Sequence, residues 1–386
     1  MPKNKKNIKE ILSSTIPFLL MLGCGFIAGF LGTKNLDQNE LAEISFLGSL
    51  FGFIFFISSV LVQTILHEAG HLVFGLMSGY EFVSFRVGSF TLIKENNKFF
   101  IKKFNLKGTA GQCLMMPKSD NCESCSYVLY NLGGILMNAL VSILCFIIYS
   151  SVTTSIYLSE FLYGMIIFGV IAILTNGIPM KISGISNDGY NTFSILKNNT
   201  MKYCFYIQLK VHGLLSKGMR IKDMPIEWFE IDEKSDFSNP LICSIKCIEA
   251  SYYHDRLEFD KAKSCYEFLI NYSPNILKLF ENEIKCELLF YEIIVTQNQN
   301  NINELYTKKL KSYIKATNCY ISRARLMYAY HLIIEKDIKK ANTFLDKFDK
   351  LKNTYPVKGE ISGEVEVINF IKNKFLISDN INNSSL

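Results

Sequence analysis

Apolar residues are distributed unevenly along this chain. Up to about residue 180 they gather into long runs parted by short polar segments, whereas the remainder is mixed, charged and rich in Lys, Glu, Asn and Tyr. A helix needs about 20 mostly apolar residues to cross a bilayer core. Four runs reach that length, at 15–33, 45–79, 127–152 and 157–179. The first follows the basic leader MPKNKKNIKE and has no small-residue cleavage site behind it, so it reads as an uncleaved anchor rather than a removed signal peptide. Between the second and third runs, FVSFRVGSFTLIKENNKFFIKKFNL alternates apolar and polar residues and breaks at Glu95, Asn96 and Asn97. That pattern predicts a β-hairpin over about 82–105. It is either an ordinary half-buried hairpin or a sheet edge that receives an extended substrate. The expected architecture is mainly α. A polytopic membrane helix bundle of about four transmembrane helices, with the hairpin as an insertion, occupies 1–199. A helical domain follows over 200–375, and a disordered tail over 376–386.

Charge orients the bundle. Lys3, Lys5, Lys6 and Lys9 precede the first run, and the loop after it sets Asp37, Glu40 and Glu43 against Lys34. After the second run, as far as Lys118, come Arg86, Lys94, Lys98, Lys102, Lys103, Lys107 and Lys118, against Glu81 and Glu95. Basic loops stay inside. The N-terminus, the 80–126 segment and everything after 180 are therefore expected in the cytosol of a multi-pass cell-membrane protein. The formal charge of +6 sits largely beside the apolar runs and calls for no nucleic-acid partner. Eleven scattered cysteines do not make a disulfide framework. Cys122 and Cys125 form C-E-S-C without a further pair of ligands nearby, which reads as an incidental pair, with a redox-sensitive switch as the alternative.

The second run contains LHEAGH. Residues four apart share a helix face, so His67 and His71 can direct ring nitrogens at one Zn²⁺. Glu68 then lies beside the metal as a general base for water. The plain alternative is polar decoration at a helix end. Three ionisable groups in or beside a long apolar run are costly in a membrane, and such groups mark functional sites.

Two other stretches give the chain a family resemblance. The third run holds NLGGILMN, ending at Asn138, and the fourth is followed by TNGIPMKISGISNDGYN, with Asn176, Pro179 and the pair Asp188-Gly189. An HExxH in one span, a Gly-rich stretch ending in Asn, and N-x-x-P followed by DG resemble the site-2 protease family of intramembrane zinc metalloproteases over roughly 45–195. The resemblance implies one Zn²⁺ per active site, with Asp188 as third ligand beside His67 and His71. It implies that Asn138 lies near the metal and helps hold the substrate carbonyl or oxyanion, and that Asn176 and Pro179 shape the break that delivers Asp188. Substrates would be single-span membrane proteins or peptide precursors. The chain departs from the family pattern in a stretched Asn-to-Asp interval, in Asn187 where Leu is usual, and in Ile135 where Pro is frequent.

In the tail, CIEASYYHDRLEFDKAKSCYEFLINYSP places Ala250, Tyr253, Ala262, Tyr266 and Pro274 as a tetratricopeptide-like helix pair would, and Ala329 and Ala341 repeat the theme. Such a solenoid would offer a concave face to a peptide or protein partner; a generic helical bundle is the alternative. His254 and His331 read as ordinary helix residues. A catalytically silent scaffold or receptor acting through the tail is the competing function. A transporter fits poorly, because four spans contain no paired broken helices.

Overall fold

In a computed structural model the chain is described over residues 46–95, 98–103, 111–182, 185–272 and 278–383. The expected first span, the hairpin-tip residues Asn96 and Asn97, and Pro274 lie outside them. The described residues form two compact units. One falls within Met1–Phe82 and Ala110–Asn199, the other within Val83–Thr109 and Thr200–Leu386.

Three helices of the first unit are long and apolar enough to cross a membrane: α1 (Phe46–Met77), α2 (Tyr127–Ser151) and α3 (Ile156–Gly177). Their burial is inverted relative to a water-soluble bundle. Phe53, Leu61, Met77, Ile143, Leu144 and Phe146 face outward, while Ser59, Gln63, Glu68, His71, Asn131, Asn138 and Ser142 are buried between the helices. Lipid is as apolar as leucine, so the outer faces lose nothing by exposure, whereas polar side chains must find partners inside. Glycines set the helix spacing. A β-carbon on Gly70 would run into the Gly133 carbonyl, and one on Gly133 would run into that of Gly70, so α1 and α2 touch backbone to backbone. Close approach through small residues replaces the hydrophobic drive that lipid removes.

Beyond α1 the chain forms an antiparallel sheet of strands β1 (Tyr80–Val87), β2 (Phe90–Glu95), β3 (Lys98–Lys103) and β4 (Gly111–Pro117), in the order β3-β2-β1-β4. The single hairpin expected over 82–105 is thus two successive ones. Val87 pairs with Phe90, which makes Gly88-Ser89 a two-residue turn, and Gly88 takes φ +58°. Two-residue hairpin turns need such positive φ, which glycine adopts without a β-carbon penalty.

After α3 come the two-residue strands β5 (Lys181–Ile182) and β6 (Ile185–Ser186), then α4 (Asp188–Lys197) and α5 (Asn199–Ser216). The tail continues as α6 (Pro240–Asp255), α7 (Phe259–Tyr272), α8 (Lys278–Tyr291), α9 (Gln299–Leu305), α10 (Lys308–Ala316), α11 (Ile321–Ala329), α12 (Ile338–Thr354) and α13 (Lys358–Asn383). The last helix extends past residue 376, where the sequence pattern placed the end of the ordered tail.

A structural repeat runs through this tail. Leu257, Gln297 and Lys336 are its non-glycine residues with positive φ among those described, spaced 40 and 39 residues apart. Each lies two residues before the helix that follows, and five residues beyond each stands a fully buried position: Ala262, Ile302 and Ala341. A tetratricopeptide repeat has a period of about 34 residues. The tail is helical as expected, but its repeat is longer than the tetratricopeptide-like reading requires. His254 hydrogen-bonds Tyr291 and Arg325, and His331 pairs with Glu335, so both serve the packing of the tail.

Candidate active site

Helix α1 carries His67, Glu68 and His71 on its inner face because the 3.6-residue period returns every fourth residue to the same side. The ring of His67 packs directly on α2 at Gly134, where a β-carbon would stand 2.5 Å from the imidazole Cε1. Glu68 packs on the first residue of β4. A β-carbon on Gly111 would lie 2.6 Å from its Oε1, and the Cys113 backbone hydrogen-bonds the carboxylate.

Asp188 arrives from a different element. Helix α3 ends at Gly177, and the extra residues of the stretched interval fold out as the β5–β6 ribbon and return, with the Asn187 N–H bonded to the Met180 carbonyl at 3.2 Å. Asn187 knots this loop. Its Nδ2 donates to the Thr175 and Ile178 carbonyls (2.7 and 2.6 Å), and its Oδ1 accepts from Met180 N–H (3.1 Å) and, as the N-cap of α4, from Tyr190 N–H (2.9 Å). A leucine could make none of these bonds. Asn is among the best N-cap residues, which explains the departure from the family pattern. Asn176 donates to Ala172 within the last turn of α3, and Pro179 follows that helix end. Gly189 abuts the Gly177 carbonyl with no room for a β-carbon, so the DG pair docks tightly on the end of α3.

These elements bring three donors together. His67 Nε2 lies 3.1 Å and His71 Nε2 3.4 Å from Asp188 Oδ2, and the two ring nitrogens are 3.2 Å apart. The protons can be placed from the partners. His71 Nδ1 faces the Tyr130 carbonyl at 2.8 Å, a group that only accepts. His67 Nδ1 faces Asn138 Oδ1 at 2.6 Å, and the Asn138 amide is fixed that way round because its Nδ2 faces two acceptors, Gln63 O and Gln63 Oε1. Both rings therefore carry hydrogen on Nδ1 and turn an Nε2 lone pair toward the carboxylate.

Two lone pairs and an ionised carboxylate repel one another unless a cation stands among them. A tetrahedral zinc site with bonds of about 2.0–2.2 Å separates its donors by roughly 3.3 Å, and the three spacings here are 3.1, 3.2 and 3.4 Å. The donor set, its spacing and the outward Nδ1–H bonds all fit zinc, with the fourth corner left for water or substrate. No other group of three such side chains is placed to hold a metal among the described residues.

Asn138 is fully buried, and its amide hydrogens both go to Gln63 while its oxygen accepts from His67. These bonds place Asn138 against the His67 ring. Gln63, Gly111, Gly134 and Asn187 were not singled out from the sequence as site residues. Gln63 left a usable trace, since it stands one turn before His67 inside an apolar run.

The profile of peptidase family M50 matches residues 55–378, which takes in the three apolar helices, the sheet, the clustered donors and most of the tail. No curated protein and no solved structure matches the chain. A match over most of the sequence, including the HExxH motif and its partners, shows that the chain belongs to peptidase family M50, a family of membrane metalloproteases.

Proposed function

We propose that the protein is an intramembrane zinc endopeptidase that hydrolyses a peptide bond in or near the transmembrane segment of a single-span membrane protein or peptide precursor. The convergence of His67, His71 and Asp188 at tetrahedral spacing carries this reading. His67 Nε2, His71 Nε2 and an Asp188 oxygen would hold the ion. Zinc bound there supplies Lewis acidity that makes water a competent nucleophile near neutral pH and polarises the scissile carbonyl. Glu68, buried beside the three ligands, takes the proton of the attacking water and passes it to the leaving amine. Asn138 fixes the His67 ring through its side-chain oxygen, beside the role at the substrate carbonyl or oxyanion that the resemblance implies for it.

A helix in lipid has its carbonyls engaged in its own hydrogen bonds, so a substrate must unwind before attack. The sheet supports an extended substrate strand, because its terminal strand β4 lies against Glu68. In the tail, the helical repeat supports a partner-binding role. The basic leader and the lysines of the 80–126 segment support a cell-membrane protein with cytosolic termini.

The test is cleavage of a panel of single-span substrates by the protein in detergent or vesicles. A zinc chelator is expected to abolish cleavage, and added Zn²⁺ to restore it. Cleavage that continues after complete zinc removal contradicts the proposal.

A further inference from the structure

We propose that Gln63 is a positioning residue of this metal site, holding His67 in the tautomer and orientation that metal binding requires and tying that ring to α3. The inference rests on the metalloprotease reading and deepens it.

Gln63 is buried, one helical turn before His67 on α1, in a region where an unmatched amide would be costly. All of its hydrogen-bonding capacity is directed. Its Nε2 donates to the Met165 carbonyl on α3 at 2.6 Å and reaches Ser142 Oγ on α2 at 3.4 Å. Its Oε1 accepts from Asn138 Nδ2 at 2.6 Å, and its own backbone carbonyl accepts from the same nitrogen at 3.0 Å. Carbonyls only accept, so the Met165 carbonyl fixes which end of the Gln63 amide faces it, and Gln63 fixes the Asn138 amide in turn. Asn138 Oδ1 then meets His67 Nδ1 as an acceptor, which puts hydrogen on Nδ1 and leaves Nε2 bare toward the ligand cluster. A reversed Asn138 amide would present N–H to Nδ1 and force the hydrogen onto Nε2, the atom the metal needs.

The direction of this relay couples the two sources of ligands. His67 and His71 lie on α1, whereas Asp188 follows the end of α3. Gln63 joins the first helix to the third at Met165, about three turns before the segment that turns toward Asp188. Gly169 makes the approach possible, since a β-carbon there would lie 2.7 Å from Gln63 Nε2 and would overlap Ser142 Oγ. Outer partners of this kind typically govern metal affinity by 10–100-fold.

The experiment measures Zn²⁺ dissociation constants by chelator competition for wild type, Gln63→Met, Asn138→Ala and the double variant, alongside thermal unfolding of each metal-free protein. Methionine keeps the length and flexibility of glutamine and removes both hydrogen-bonding ends. Gln63→Met is expected to bind zinc about 10–100-fold more weakly with little change in metal-free unfolding, and the double variant to be no weaker than Asn138→Ala, because Gln63 acts through Asn138. Unchanged affinity in Gln63→Met, or losses that add, overturns the relay. Should Gln63→Met fail to fold, the near-isosteric Gln63→Glu carries the comparison. It keeps an acceptor for Asn138 and is expected to stay nearer wild type than Asn138→Ala, whereas affinity as low as that of Asn138→Ala overturns the relay. A wild type that binds no zinc overturns the metalloprotease reading itself, a result distinct from normal zinc binding by wild type and Gln63→Met alike.

Discussion

Replacing Glu68 with glutamine is expected to lower the rate of substrate cleavage by about 10²–10⁴-fold, the usual contribution of a positioned general base, while zinc remains bound. Glutamine has nearly the shape of glutamate and can still sit against Gly111 and accept from the Cys113 backbone. It cannot accept a proton from water at neutral pH. Glu68 is no member of the donor cluster formed by His67, His71 and Asp188, so the metal affinity of Glu68→Gln is expected to match wild type. Parallel assays of cleavage and bound zinc check this. Loss of zinc together with activity would make Glu68 a ligand, and undiminished cleavage would remove it from the mechanism.

The second large effect concerns Asp188. Its carboxylate is the one anionic donor of the three and the one that comes from outside α1. Asp188→Ala leaves two imidazoles on one helix face, a set with two corners of the tetrahedron unfilled. Zinc affinity is expected to fall by more than the roughly 10–100-fold that outer partners govern, and cleavage to fall with it at limiting zinc. Because Asp188 starts α4 and Asn187 provides its cap, the loop is expected to keep its shape in the variant. Circular dichroism of the variant tests that shape, and chelator competition tests the metal. Undiminished zinc affinity in Asp188→Ala would place the third ligand elsewhere.

The membrane helices were legible in the sequence because a span is announced by composition alone. The runs at 127–152 and 157–179 correspond to α2 at Tyr127–Ser151 and α3 at Ile156–Gly177. HEAGH was legible because two ligands and a base fall within one helical turn, where spacing dictates geometry. Asp188 was reachable only through resemblance, since it lies more than a hundred residues from His67 in sequence. The extra residues of the stretched interval are absorbed by the β5–β6 ribbon and the Asn187 bonds, which no local pattern announces. Other features had no local signature. Gly134 matters because of the His67 ring and Gly111 because of the Glu68 carboxylate, and these approaches exist only after helices and sheet have packed. The turn at Gly88-Ser89 leaves only a faint trace, a one-residue slip in the alternation between Val87 and Phe90. In the tail the motif residues Ala250, Ala262 and Ala341 are buried, but the period that organises them is set by Leu257, Gln297 and Lys336, whose backbone conformation the side chains do not announce.

The central claim is that His67, His71 and Asp188 form one zinc site. Its most direct test is the metal content of the full-length protein purified in detergent without chelator, measured by elemental analysis beside a His67→Ala, His71→Ala double variant. The account predicts about one zinc per chain in the wild type and none in the variant. A folded wild type without zinc, or a variant that keeps it, would contradict the account.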